Sequence, residues 1–220
     1  QHTLPVSEPV TTTLTEGVNE VGKYSVFFSL TKNCNILCKY CSCMPKLNGK
    51  GQQIDGKTAI ELLQWLSEKR DGMQTVQLSG GEPFLHNYFF EILNCAKELG
   101  FIVRVQSNGT LLDGLNGDEL ECLRDVRLKV SLDGPTSSVH EIFRQKGSFS
   151  RAVRGISALS SYGLHVGTKA VFHQGNVEHS ADLVEFSREI GATSFTYNII
   201  ESYGLARSLP YKLAGDFYLR

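Results

Sequence analysis

The sequence predicts an α/β fold, a partial (β/α)6 TIM-like barrel of parallel strands, on three observations. Strand-like and helix-like segments alternate six times along the chain. Strands separated by helices run parallel, because each crossover carries the chain back over one face of the sheet. The residues that punctuate this alternation, Cys34–Cys41, Gly80–Pro83, Ser107–Gly109 and Ser131–Gly134, fall at or just past the C-terminal ends of strand segments. Ligands of barrels and of open α/β sheets collect at that edge. Four such clusters from four strands suit a curved sheet with one central mouth.

Residues 1–23 are rich in Thr, Glu and Gly without strong periodicity, and predict an N-terminal lead-in; residues 24–220 predict the barrel core. Ser25–Leu30 is β-branched and aromatic and runs into the cysteine loop. Thr58–Lys69 places Ile60, Leu63 and Leu66 on one helical face. Thr75–Leu78 is a short strand before Gly80-Gly81, and Tyr88–Leu99 a helix closed by Gly100. Phe101–Gln106 is a strand ending in the Ser107-Asn108-Gly109 turn. Asp118–Leu123 is a short helix, and Val126–Leu132 a strand ending at Asp133-Gly134. Ser150–Tyr162 is a helix stopped by Gly163, Val166–Phe172 a strand, Asn176–Ile190 a helix and Thr193–Ile200 the sixth strand. Leu209–Leu219 begins or forms a sixth helix.

The chain has 220 residues, 41% hydrophobic and 20% charged, which is the composition of a globular domain rather than a disordered segment. A net charge of −1 gives no global electrostatic reason to expect nucleic acid or a membrane surface. No apolar run reaches 18 residues, and no basic-then-apolar start is present, so neither a membrane span nor a signal peptide is predicted.

Six cysteines without a secretory signal do not suggest a disulfide framework. Cys95 and Cys122 sit alone in helical segments and read as small buried hydrophobes. Cys34, Cys38, Cys41 and Cys43 fall within ten residues and need another explanation. Closely spaced thiolates bind an iron–sulfur cluster or zinc. Three thiolates would leave one iron of a cubane without a protein ligand, free to hold a substrate or cofactor. A zinc site would take Cys43 or a His as fourth ligand, but such sites favour two separated pairs of ligands. No second pair follows here, and the nearest downstream His is His86.

The Cys34-x3-Cys38-x2-Cys41 spacing, with the aromatic Tyr40 before the last Cys, resembles the signature of the radical S-adenosylmethionine (SAM) superfamily. Leu78-Ser-Gly80-Gly81-Glu82-Pro83 resembles that family's GGEP element, and Gln106-Ser107-Asn108-Gly109-Thr110 its third-strand turn. Val130-Ser131-Leu132-Asp133-Gly134-Pro135, followed by His140, Arg144 and Gly147-Ser148-Phe149, resembles the SPASM/Twitch subgroup of anaerobic sulfatase-maturing and peptide-modifying enzymes. The matches are in register over roughly residues 25–207.

The resemblance implies an enzyme with a [4Fe–4S] cluster on Cys34, Cys38 and Cys41 and SAM chelated to the open iron. Reduction would cleave the sulfonium and give a 5′-deoxyadenosyl radical that abstracts hydrogen from a peptide or protein substrate. By the same resemblance Gly80 and Gly81 let backbone carbonyls approach the cofactor's ammonium, Glu82 adds a charged contact and Pro83 stiffens the turn. Ser107, Asn108 and Ser131 suit the ribose hydroxyls or the carboxylate, although short polar residues at strand ends also serve as turn caps. Arg144 suits the carboxylate through its planar guanidinium, the alternative being a surface salt bridge. Tyr40 would act through its backbone near the adenine, leaving its side chain less constrained. Asp133 faces either cofactor or substrate, and His140 and His173 are weighed as bases against the commoner structural role. Cys43 reads as a loop bystander, and Gly204-Leu-Ala206-Arg207 also resembles the family.

An external electron donor such as flavodoxin or ferredoxin and a reducing cytoplasm are implied. So is an extension beyond Arg220 carrying further cysteines, which would cover the edge strand of an open six-stranded barrel. Two alternatives stand beside this reading: a small-molecule cofactor-biosynthesis radical SAM enzyme, since Cys43-Met44-Pro45 faintly resembles one, and a non-catalytic cysteine–metal module.

Overall fold

A computed structural model describes residues 24–47, 51–69, 73–201 and 204–209. The lead-in predicted over 1–23 lies outside them, as does all but the first residue of the final predicted helix. Six parallel strands form one sheet in sequential order: β1 (Tyr24–Thr31), β4 (Met73–Gly80), β5 (Ile102–Ser107), β6 (Arg127–Ser131), β7 (Val166–Phe172) and β8 (Ser194–Ile199). The helices between them are α1 (Gly56–Glu68), α2 (Phe89–Glu98), the short α3 (Gly117–Cys122) and α4 (Ser137–His140), α5 (Ser148–Ser161) and α6 (Ser180–Glu189). β1 and β8 are the two edges and do not pair with each other, so the sheet is open rather than a closed barrel.

Helix ends follow local chemistry. The Asp55 carboxylate accepts the Thr58 N–H at 3.1 Å and caps α1, and Asn116 with Glu119 forms a capping box on α3. Gly100 and Gly163 take the left-handed conformation that ends α2 and α5.

The strands alternate in a way that separates core from cavity. Val76 and Leu78, Val103 and Val105, Leu128 and Val130, and Val166 and Ala170 join one apolar cluster with Leu63, Ile92, Ile156 and Leu183 of the helices. The intervening residues, among them Gln77, Gln106, Lys129 and Lys169, line cavities instead. Parallel strands covered on both faces read as continuous apolar runs; here the inner face is polar because it borders a lumen. One cavity of about 380 Å³ is lined together by Gln77 of β4 and Asn198 of β8. Those strands would stand roughly 19 Å apart in a flat sheet, so the sheet curves around the space between them.

The short α4 was not predicted, and two further elements depart from the sequence expectation. The helix predicted over Asn176–Ile190 is split into a 3₁₀ turn, Val177–His179, and α6. The Asn176 side chain accepts the His173 N–H and donates to the carbonyls of Asp133 and Val171, so it ties off β7 instead of starting a helix. The cysteine loop also carries a small parallel pair of its own, β2 (Asn33–Cys34) with β3 (Lys46–Leu47), which returns the chain beside its start.

Candidate active site

The four strand-end clusters meet at one mouth. Cys34, Cys38, Tyr40, Cys41, Gly80, Gly81, Ser107, Asn108, Ser131 and Arg144 all line the 380 Å³ cavity; Glu82 and Pro83 do not. Cys43, Lys169 and Asn198 line it as well.

Backbone contacts lock the cysteine loop to β4. The N–H groups of Gly81 and Glu82 donate to the carbonyls of Thr31 and Asn33 at 2.7 and 2.8 Å. A Cβ on Gly81 would lie 2.2 Å from the Asn33 oxygen, and one on Gly80, whose φ is +136°, 2.3 Å from the Thr31 oxygen. The missing side chains thus serve the approach of two protein segments first. The resemblance assigned that freedom to a ligand's approach, beside the alternative of a plain strand-to-helix turn.

Glu82 is fully buried, and its carboxylate accepts from Ser107 Oγ at 2.8 Å, the Asn108 N–H at 2.7 Å and the Phe84 N–H at 3.4 Å. It welds the β4 turn to the end of β5 and occupies the Ser107 hydroxyl in doing so. Burial pushes this carboxyl up to about 7, against the three donors that favour its charged form. Pro83 is the buried first residue of a 3₁₀ turn that Glu82 caps. Within the protein Glu82 reaches the mouth through Ser107 and Asn108, both of which line it.

The Tyr40 side chain differs from expectation, and Arg144 has partners within the protein. Arg144 is buried, donating through Nε to Asp133 Oδ2 at 2.6 Å and through Nη2 to the Tyr40 hydroxyl, with Nη1 3.9 Å from Cys38 Sγ. Tyr40 in turn donates to Asp133 Oδ2 at 2.5 Å, and its ring packs edge-on against Phe143. The Tyr40 side chain is one of the most constrained in the site, because it bridges the cysteine loop to the acid–guanidinium pair. Burial pushes the Asp133 carboxyl up, but Arg144, His140 and the hydrogen bonds outweigh it and hold it below the usual carboxylate range.

His140 is buried, accepting the Asp133 N–H on Nδ1 with Nε2 against Ser148 Oγ, and burial holds it down to about 3. His173 accepts the Gly175 N–H on Nδ1 and packs at a tilt against Phe143, and burial holds it down to about 4. Both rings are buried and hydrogen-bonded, and neither lines the mouth.

Two contacts that sequence reasoning missed hold the loop from its other side. Asn108 Nδ2 donates to Asn35 Oδ1 at 2.8 Å and lies 3.7 Å from Cys34 Sγ, while Asn35 donates to Thr110 Oγ1. The Leu205 N–H donates to the Cys41 carbonyl, and Gly204, with φ +58°, lets that turn close on Cys41 and Ser42. The position of Asn35 inside the cysteine motif was the signal available for the first.

Three thiols with two nitrogen donors beside them are a fitting donor set for an iron–sulfur cluster. Cys34, Cys38 and Ile36 form a small buried cluster with Cys41 against it, so the thiols border both the apolar pocket and the cavity. Burial pushes Cys34 up to about 11 and also raises Cys38; the hydrogen bond that the Cys41 thiol donates to Cys43, with burial, raises Cys41. Without a cation these thiols stay protonated, and a bound metal's charge is what ionises them. Among the described residues no group of three His, Cys, Asp or Glu side chains converges tightly enough to hold a single metal ion. A cubane, in which each thiolate meets a different iron, does not require that convergence.

The Radical SAM superfamily profile matches residues 28–188. The subtilosin biosynthesis protein AlbA of Bacillus subtilis (strain 168) is 31% identical over 191 residues, covering 84% of this chain and 41% of that protein. The AdoMet-dependent heme synthase of Oleidesulfovibrio alaskensis is 24% identical, covering 84% of this chain and 47% of that protein. The chain thus spans less than half the length of these curated relatives. Among solved structures, anSMEcpe with bound AdoMet and Cp18Cys peptide matches with a TM-score of 0.72 at 17% identity, covering 88% of this chain and 56% of that one. The last likeness shows the shared fold.

Proposed function

The chain belongs to the radical SAM superfamily, and from that premise we propose that it is the catalytic core of an enzyme modifying a peptide or protein substrate. The observation that carries this reading is the convergence of Cys34, Cys38 and Cys41 with Gly80, Ser131 and Arg144 on one cavity. When bound, the cluster and SAM supply a 5′-deoxyadenosyl radical able to remove an unactivated hydrogen.

The chain's own residues hold and orient. Cys34, Cys38 and Cys41 line the cavity and would hold the cluster by three thiolates, leaving one iron for SAM. Asn108 and Arg144 aim N–H groups at two of the sulfurs. Gly80, Gly81 and Ser131 line the same cavity, Glu82 sets Ser107 there, and Tyr40 ties the cysteine loop to Asp133 and Arg144.

AlbA is named for the biosynthesis of a bacteriocin, and the anSMEcpe structure contains a peptide; both support a peptide substrate. The heme synthase supports a second reading, a small cofactor precursor. The proposal includes an external electron donor such as flavodoxin or ferredoxin and a reducing, cytoplasmic setting. No helix among the described residues is long and apolar enough to cross a membrane.

The test is anaerobic incubation of the iron-reconstituted chain with dithionite and SAM. The expected result is slow release of 5′-deoxyadenosine without substrate, lost in Cys38→Ala. A chain holding its full iron complement that releases none would overturn the reading.

A further inference from the structure

Beneath the mouth the lumen continues into a second cavity of about 450 Å³. Four cations line it, Arg104 of β5, Arg127 and Lys129 of β6, and Lys169 of β7, together with the amides of Gln77, Gln106 and Asn198. Its lining includes no Asp or Glu. Among the described residues none of the four cations takes part in an ion pair. The two ammonium groups rest on neutral acceptors instead: Lys129 Nζ donates to Thr196 Oγ1 at 3.1 Å and Lys169 Nζ to Gln106 Oε1 at 3.3 Å. An ammonium carries three protons, so each keeps two for a ligand.

We propose that this floor is a carboxylate-binding subsite that takes the acidic side chain, aspartyl or glutamyl, of a peptide substrate. The inference rests on the peptide reading above and names the substrate's chemistry.

Electrostatics argue for an anionic occupant. Burial pushes both lysines down, and the like charges of Lys169 and Arg104 push Lys129 further. Lys129 and Lys169 are half-buried, with Arg104 and Arg127 at the solvent-exposed rim; lumen-facing lysines that lack an acid partner are relieved by one bound carboxylate, which accepts from both.

Geometry argues for a side chain entering from the mouth. Lys169 lines both cavities and pairs across the sheet with Ser131, which lines the upper one. Lys129 lies two residues earlier on the Ser131 strand, hence roughly 7 Å deeper along the lumen. A carboxylate held between Lys129 and Lys169 would leave the carbons above it at the level of Ser131, in the cavity that the three cysteines also line. The cavity's volume excludes a folded nucleic acid but admits one side chain.

The reconstituted chain with SAM is titrated calorimetrically with the capped tripeptides acetyl-Ala-Glu-Ala-amide and acetyl-Ala-Gln-Ala-amide, and with inorganic phosphate. The glutamyl peptide is expected to bind at least about tenfold more tightly than the glutaminyl one, as a charge-assisted contact requires. That preference should vanish in Lys129→Gln/Lys169→Gln and persist in Lys129→Arg/Lys169→Arg, which keeps the charge and reports on folding. Equal binding of the two peptides, or a preference surviving the double Gln change, overturns the subsite. Phosphate binding as tightly as the glutamyl peptide, with the same dependence on both lysines, overturns the assignment to a peptide side chain. Release of 5′-deoxyadenosine by the unaltered chain reports separately on the proposed function. Release without peptide selectivity removes the subsite alone, and selectivity without release removes the function alone.

Discussion

Arg144 donates through Nε to Asp133 Oδ2 at 2.6 Å, with the two side chains only 6% and 1% exposed. Asp133 also accepts from the Tyr40 hydroxyl and, through Oδ1, from the Val171 N–H at 2.9 Å. One carboxylate therefore joins the cysteine loop, the segment after β6 and strand β7.

Removing one partner of such a pair leaves a buried, uncompensated charge. Asp133→Ala is expected to cost about 3–5 kcal/mol of stability, and Tyr40→Phe about 1.5–3 kcal/mol, the range for a hydrogen bond to a charged group. Urea unfolding measures both; a loss under about 1 kcal/mol for Asp133→Ala contradicts the hub role. The folded-state pKa of Asp133 is depressed. Its contribution is therefore present above the unfolded value and is lost as pH falls through the folded one.

Glu82 has the opposite sign. Its carboxyl rises from 4.5 to about 7, so between those values the folded chain keeps a proton that the unfolded chain has released. Stability contributed by this group falls as pH rises through that window. Relative to Glu82→Gln, the unaltered chain should lose roughly 3 kcal/mol between about pH 4 and about pH 8. Unfolding curves of both proteins at the two pH values give the difference directly, and parallel pH profiles would show that Glu82 is not held this way.

Gly81→Ala tests the seam between β4 and the cysteine loop. The new Cβ meets the Asn33 carbonyl oxygen and carbon, at 2.2 and 2.7 Å, and both are backbone atoms that cannot swing aside. A destabilisation of about 1–3 kcal/mol and reduced iron uptake are expected. Full iron uptake with unchanged thermal unfolding would mean that the two segments separate at no cost.

Much of this was legible from residue order. The six strands follow from apolar segments bounded by Gly and polar turns, and β7 falls at its predicted limits, Val166–Phe172. The cysteines, Gly80-Gly81, Ser107-Asn108 and Ser131 meet because each sits at a strand end, which sequence position alone indicates. Partnerships were not legible. That Arg144 turns to Asp133 rather than outward, and that Glu82 turns to Ser107 and Asn108, depends on contacts between segments 11 and 25–26 residues apart. The cationic floor was hidden for a related reason: Arg104, Lys129 and Lys169 are scattered along the chain and become neighbours only when the sheet curves.

The central claim is that Cys34, Cys38 and Cys41 carry a cluster with one iron open to SAM. The most direct measurement is the electron paramagnetic resonance spectrum of the dithionite-reduced, anaerobically reconstituted chain, recorded with and without SAM alongside iron and zinc analysis. About four irons per chain and a cluster signal whose g values move when SAM is added are predicted. Both should be lost on replacing any of the three cysteines by Ala and retained in Cys43→Ala. Stoichiometric zinc without iron, or a cluster signal that SAM leaves unmoved, would contradict the account.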